Sequence, residues 1–175
     1  MNTANKLTVL RILMIPAMMI VLYIGFPHSN IVAMGIFIAA GLTDIADGYI
    51  ARNKGQITDF GKFLDPLADK ILVLAAMLWF VEQGTFPAWA AIIVISREFL
   101  VTALRLLAIA QKRVMAAELS GKIKTLVTMI CLTIMFLPLR TWAIYVCVAA
   151  ILVTTVYSGI DYFIRNKDIL KMEMK

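Results

Sequence analysis

Apolar residues run through this chain in six long blocks, each closed by a short polar or helix-breaking string. The first spans about Leu7 to Phe26 and stops at Pro27-His28-Ser29-Asn30. The second spans Ile31 to Arg52 and stops at Asn53-Lys54-Gly55-Gln56. Phe60 to Val81 ends at Glu82-Gln83-Gly84, and Pro87 to Gln111 ends at Lys112-Arg113. A fifth block opens between Glu118 and Lys122 and reaches Leu137, and a sixth runs from Trp142 to Ile164 before a basic tail. Each block is close to the roughly 20 residues an α-helix needs to cross the hydrocarbon of a bilayer. The pattern predicts an all-α integral membrane protein of six transmembrane helices. The connections are short, so residues 1–175 are expected to form a single domain without linkers or repeats.

Composition supports lipid as the solvent. Of 175 residues 62% are hydrophobic and 16% charged, whereas a soluble domain is nearer half apolar and a quarter charged. Cys131 and Cys147 stand singly inside apolar runs, without the spacing of a metal or redox pair. Lys6 and Arg11, ahead of an apolar stretch, imitate a secretory signal. No small-x-small cleavage site follows, so this block reads as a retained span.

The net charge of +6 acquires a meaning from where the bases fall. An even number of spans puts both termini on one side. That side collects Lys6, Arg11, Arg52, Lys54, Lys112, Arg113, Lys122, Lys124, Arg165, Lys167, Lys171 and Lys175, while Arg140 alone falls opposite. The positive-inside rule therefore predicts cytoplasmic termini in a multi-pass protein of the cell membrane. Trp79, Trp89 and Trp142 fall at the outer ends of their spans, as an aromatic belt requires. The basic excess is mainly topological, with anionic membrane lipids as a second partner. No nucleic-acid partner is expected, because no basic cluster combines with aromatics on a soluble face.

Charge inside a span is costly and points to function. Here it gathers in one hairpin, with Asp44 and Asp47 at the end of the second block and Asp65 and Asp69 at the start of the third. Spacings of three and four place each pair on one helix face. Counted from Arg52 and Gly61 at a rise of about 1.5 Å, Asp47 and Asp65 share one depth and Asp44 and Asp69 a deeper one. Four ionised carboxylates so close need cations between them. All-oxygen donors suit Mg2+ or Mn2+, and four carboxylates suffice for two ions. The competing reading pairs the aspartates with Arg52, Lys62 and Lys70 as structural glue. Gly48 and Ala51 leave room beside Asp47, and Gly61 allows close approach of the backbone to a ligand.

The string Asp44-x2-Asp47-Gly48-x2-Ala51-Arg52-x8-Gly61-x3-Asp65-x3-Asp69 resembles the full signature of the CDP-alcohol phosphotransferases. Asn5-Lys6-Leu7-Thr8-x2-Arg11, Ser96-Arg97-Glu98-Phe99-x5-Arg105 and Gly121-Lys122-Ile123-Lys124-Thr125 are similar to the branch of that family forming phosphatidylglycerophosphate. The resemblance implies a reaction of CDP-diacylglycerol with glycerol 3-phosphate, releasing CMP. It also implies a homodimer, six spans with a short N-terminal amphipathic segment, and a polar cavity facing the cytoplasm. By the same resemblance Asp44, Asp47, Asp65 and Asp69 hold two divalent ions and Asp69 is also the general base. Gly48, Arg52, Thr58 and Gly61 contact the CDP moiety, joined by Asn5 and Thr8.

The acceptor's phosphate needs cations of its own. Arg97 and Arg105 on the fourth span and Lys122 at the start of the fifth are expected to form that pocket, arginine being suited to two-pronged phosphate recognition. The competing reading makes Arg97 and Glu98 a buried structural bridge. Two other functions fit fewer residues: the same chemistry with serine, inositol phosphate or phosphatidylglycerol as acceptor, and a divalent-cation transporter using the aspartates as its path. His28 is expected to be exposed and inert, and the eleven methionines to be filler.

Overall fold

The computed structural model describes residues 3–54, 59–111 and 118–167, with side chains described from Leu7 to Thr43, Leu67 to Gln111 and Glu118 to Lys167. The described residues form six α-helices: α1 (Thr3–Ile24), α2 (Ser29–Lys54), α3 (Asp59–Glu82), α4 (Ala88–Ala110), α5 (Leu119–Met135) and α6 (Thr141–Arg165). Their ends fall within two residues of the apolar block edges, apart from the start of α1. That helix begins at Thr3 and runs unbroken into the first apolar block, so the N-terminal segment is continuous with it and not a separate element. Nothing in Ala4-Asn5-Lys6 interrupts a helix.

Turns end the helices where the sequence allows unusual backbone. Gly25 and His28 adopt φ of +67° and +71° between α1 and α2. The His28 carbonyl then accepts from the N–H groups of Ile31 and Val32, satisfying donors at the start of α2. Pro87 and Arg140 are the extended N-caps of α4 and α6, and each offers its carbonyl to the first turn.

The chain forms two compact units, Met1–Phe80 with Leu132–Pro138, and Val81–Cys131 with Leu139–Lys175. In the first, α1 packs on α2 through Ile15, Met18 and Leu22 on one side and Ala33, Phe37 and Ala40 on the other, all buried. The alternating steps of three and four make one apolar stripe on each helix. Phe136 closes this core against Phe80 and Phe37, with ring centroids 4.8 and 5.9 Å away. In the second unit α4 buries Val94, Val101, Leu104 and Ala108, and α6 buries Cys147, Val148, Ile151 and Thr155.

Large apolar side chains also cover the outside, among them Leu13, Ile20, Trp142 and Val153. Among the described residues, Leu7–Ile24 and Thr141–Arg165 are long and apolar enough to cross a membrane. Only 28% and 33% of those stretches are buried, the reverse of a soluble protein's core helix, and both fit a membrane protein. The other four helices are less plain. α4 carries Arg97, Glu98 and Arg105, and α5 has 17 residues.

Candidate functional site

The α2 backbone is helical through Asp44, Asp47, Gly48 and Arg52, and the α3 backbone through Gly61, Asp65 and Asp69. The helical spacing puts Asp44 with Asp47, and Asp65 with Asp69, on common faces. The side chains of Asn5, Asp44, Asp47, Gly48, Arg52, Gly61 and Asp65 lie outside the described residues, as does Thr58 altogether. Asp69 is half-buried, one residue beyond the fully buried Ala68. Among the described residues no three His, Cys, Asp or Glu side chains converge. The donor chemistry fits hard divalent cations: four carboxylates on two adjacent helices in sequence, with His28 at the far end of α2 and the cysteines on α5 and α6.

The residues leading into that hairpin are fixed by α1. Thr8 and Arg11, three apart on one face, are both buried, and Arg11 is 0% exposed. Arg11 Nε donates to the Ala40 carbonyl at 3.2 Å and to Thr43 Oγ1 at 3.3 Å, while Thr43 Oγ1 donates to the same carbonyl at 2.7 Å. This knot sits one residue before Asp44. Arg11 and Lys124, two of the bases on the side predicted to be cytoplasmic, are both enclosed: Lys124 is 4% exposed. A guanidinium or ammonium is enclosed only where acceptors offset its desolvation, and both have them. The signal for Arg11 was its place three residues after Thr8, inside an apolar block.

A second cluster forms around Arg97. Glu98 Oε1 accepts from Arg97 Nη1 at 3.0 Å and from Lys124 Nζ at 2.5 Å. The guanidinium lies over the ring of Tyr162, 5.4 Å from its centroid. The Tyr162 hydroxyl accepts the Glu118 N–H at 3.2 Å. Two glycines let these groups meet: a Cβ on Gly159 would stand 3.2 Å from Arg97 Cγ, and one on Gly121 would stand 3.1 Å from the Tyr162 ring. The Arg97 side chain is 12% exposed, and its Nε and Nη2 are buried without an acceptor among the described residues. A groove of about 540 Å³ between α4 and α6 runs past Ser96, Arg97, Thr155 and Gly159 with Ile and Phe walls.

The bridge between Arg97 and Glu98 therefore exists, and it occupies one of the three guanidinium nitrogens. Arg105 and Lys122 are exposed, and among the described residues no hydrogen bond joins either of them to Arg97. Sequence reasoning missed Tyr162, the pairing of Lys124 with Glu98, and a neighbouring clamp in which Ser120 Oγ and Arg165 Nε both donate to Asp161, at 2.5 and 2.6 Å. That clamp ties the start of α5 to the end of α6. A tyrosine and an aspartate three and four residues before a basic helix end were the available signal.

Residues 1–157 match the family model described as CDP-alcohol phosphatidyltransferase. The chain belongs to that family. It is similar to the CDP-diacylglycerol–glycerol-3-phosphate 3-phosphatidyltransferase of Bacillus subtilis (strain 168), 40% identical in an alignment that covers 97% of each chain. The probable phosphatidylglycerophosphate synthase of Mycobacterium tuberculosis (strain CDC 1551 / Oshkosh) is 40% identical over 171 residues, 94% of this chain and 81% of its own. A Haemophilus influenzae protein bearing the same name as the Bacillus relative is 42% identical over 137 residues, 75% of this chain and 73% of its own. In this CDP-alcohol phosphatidyltransferase the family match takes in the aspartate hairpin and Arg97. It ends before Gly159, Asp161 and Tyr162.

Proposed function

We propose that this CDP-alcohol phosphatidyltransferase moves the phosphatidyl group of CDP-diacylglycerol to glycerol 3-phosphate, giving phosphatidylglycerophosphate and CMP. The observation that carries the reading is the 40% identity to the Bacillus relative over 97% of both chains, since that relative's name states this reaction. The unoccupied edge of the buried Arg97 guanidinium supports a phosphorylated acceptor over serine. The whole chain acts as one catalytic domain, a reading supported by a family match that crosses both compact units.

All six helices cross the cell membrane, with both termini and the site on the cytoplasmic side. The agreement of six helices with six apolar blocks supports the count, and the distribution of bases along the sequence supports the orientation. The protein works as a homodimer, as the family resemblance implies. The diacylglycerol tails stay in lipid while CDP and glycerol 3-phosphate are held from the water side. That division explains why acids sit a turn or two below the cytoplasmic ends of α2 and α3.

In the reaction the acceptor hydroxyl attacks the phosphorus bearing diacylglycerol, the bond from that phosphorus to the CMP oxygen breaks, and Asp69 takes the hydroxyl proton. Asp44, Asp47, Asp65 and Asp69 hold two Mg2+ or Mn2+ ions. When bound, such ions supply charge neutralisation of the pyrophosphate and of the leaving CMP. Asn5, Thr8, Gly48, Arg52, Thr58 and Gly61 hold the CDP portion, and Arg97, Arg105 and Lys122 hold the acceptor phosphate. Incubating the folded protein with CDP-diacylglycerol, Mg2+ and one acceptor at a time tests the reading through CMP release. Glycerol 3-phosphate is expected to give CMP and phosphatidylglycerophosphate; release with serine or inositol phosphate alone, or with none, overturns it.

A further inference from the structure

We propose that Tyr162 is a positioning residue that presets Arg97 for a two-pronged grip on the phosphate of the acceptor. The proposal rests on the reading of Arg97 as a ligand of that phosphate.

A guanidinium is a flat plate with donors along its edges, and each way of moving it is blocked here. Glu98 holds the Nη1 corner at 3.0 Å. The Tyr162 ring covers one face at 5.4 Å, an arrangement favoured by the ring's negative π surface. Gly159 lets the α6 backbone come up against the Arg97 stem, where a Cβ would lie 3.2 Å from Cγ. What remains is the edge formed by Nε and Nη2, buried and without an acceptor among the described residues. Two parallel N–H groups on one edge match two oxygens of a phosphate or a carboxylate.

Charge separates this arrangement from a plain structural bridge. Lys124 Nζ already meets Glu98 at 2.5 Å, so the carboxylate is neutralised without Arg97. Among the described residues two cations share this carboxylate, an excess of positive charge in a largely enclosed place that suits an incoming dianion. The ring itself is held firmly. Tyr162 is 3% exposed, its hydroxyl accepts from Glu118 N–H, and Gly121 lies against its edge. Tyr162 does not touch the acceptor; it acts through the plane of Arg97.

Steady-state kinetics on the full chain in membranes test this, with KM for glycerol 3-phosphate and for CDP-diacylglycerol measured separately. Tyr162→Leu removes the π face and is expected to raise KM for glycerol 3-phosphate about tenfold while leaving KM for CDP-diacylglycerol unchanged. Tyr162→Phe keeps the face and is expected to stay within about threefold of the starting protein. Adding Tyr162→Leu to Arg97→Lys is expected to cause no further rise, because the effect passes through the guanidinium. An unchanged KM for glycerol 3-phosphate in Arg97→Lys overturns the parent reading. A raised KM in Arg97→Lys with an unchanged one in Tyr162→Leu overturns the positioning role alone. If Tyr162→Leu does not accumulate as folded protein, Tyr162→Phe still decides: a tenfold rise there means the hydroxyl matters and not the face, and overturns the proposal.

Discussion

Replacing Gly121 by alanine sets two effects of known size against each other. At an ordinary helical position the exchange stabilises, by up to about 1 kcal/mol, since glycine loses more backbone freedom than alanine. Gly121 is the third residue of α5, where the gain is smaller because the first turn is only partly held. Against it stands a new methyl 3.1 Å from Tyr162 Cε2 and 3.2 Å from its hydroxyl oxygen. Ordinary van der Waals contact is about 3.5–4.0 Å, so the ring has to retreat by roughly half an ångström. It cannot do so freely, being 3% exposed, stacked on Arg97 and bonded to the Glu118 N–H at 3.2 Å. Forced repacking of this kind costs about 1–3 kcal/mol. The cost wins, and a net loss of about 1 kcal/mol corresponds to a Tm lower by roughly 2–4 °C in a chain of this size. Gly35 in α2 is the control, because a Cβ there meets nothing within 4 Å; Gly35→Ala is expected to hold or raise Tm. Thermal unfolding of both variants in one detergent measures the contrast. If Gly121→Ala gains as much as Gly35→Ala, the tight stack of Gly121, Tyr162 and Arg97 does not exist as described.

Three further outcomes follow from particular side chains. Asp69→Asn is expected to cut CMP release by at least about a hundredfold at unchanged Tm; retained turnover would move the proton-accepting role to another residue. Arg11→Ala removes the donor shared by Ala40 and Thr43 and leaves a hole in a fully enclosed place, so about 3 kcal/mol is lost and Tm falls by roughly 6–12 °C. A shift below about 2 °C would show that the knot contributes nothing. Asp161→Asn is expected to leave Tm within about 2 °C, because its partner Arg165 has a side chain 60% exposed and solvent weakens such pairs. A large drop would instead mark the clamp between α5 and α6 as a main support of Tyr162.

The helices were legible because long apolar blocks closed by polar or helix-breaking strings announce themselves, and every block edge from Ser29 to Arg165 was placed within two residues. The start of α1 was missed for a simple reason: a polar residue such as Asn5 shortens an apolar block without stopping a helix. The acid hairpin was legible as spacing, since helical geometry converts steps of three and four into a shared face. Arg97 was legible as a buried cation, whereas its surroundings were not. Tyr162 lies 65 positions away in the sequence, and Lys124 and Arg11 stood only among the bases of the predicted cytoplasmic side. Whether a basic residue points to water or inward depends on carbonyls and carboxylates supplied by another helix, as Ala40 and Glu98 do here. One-dimensional periodicity carries no record of those partners.

Arg11 reaches its enclosed position only after α2 has been made. Its acceptors are residues 40 and 43, so they emerge from the ribosome some thirty residues later than Arg11 does. On the proposed orientation α1 enters the bilayer while this guanidinium is still hydrated near the cytoplasmic surface, where positive charge is retained. On that orientation the same group would direct the first helix during synthesis and afterwards staple it to the second. A neutral replacement would then act at both moments: some chains would insert backwards, and those inserted correctly would be looser at the start of the stretch leading to Asp44. The first defect is fixed at birth and the second is an equilibrium.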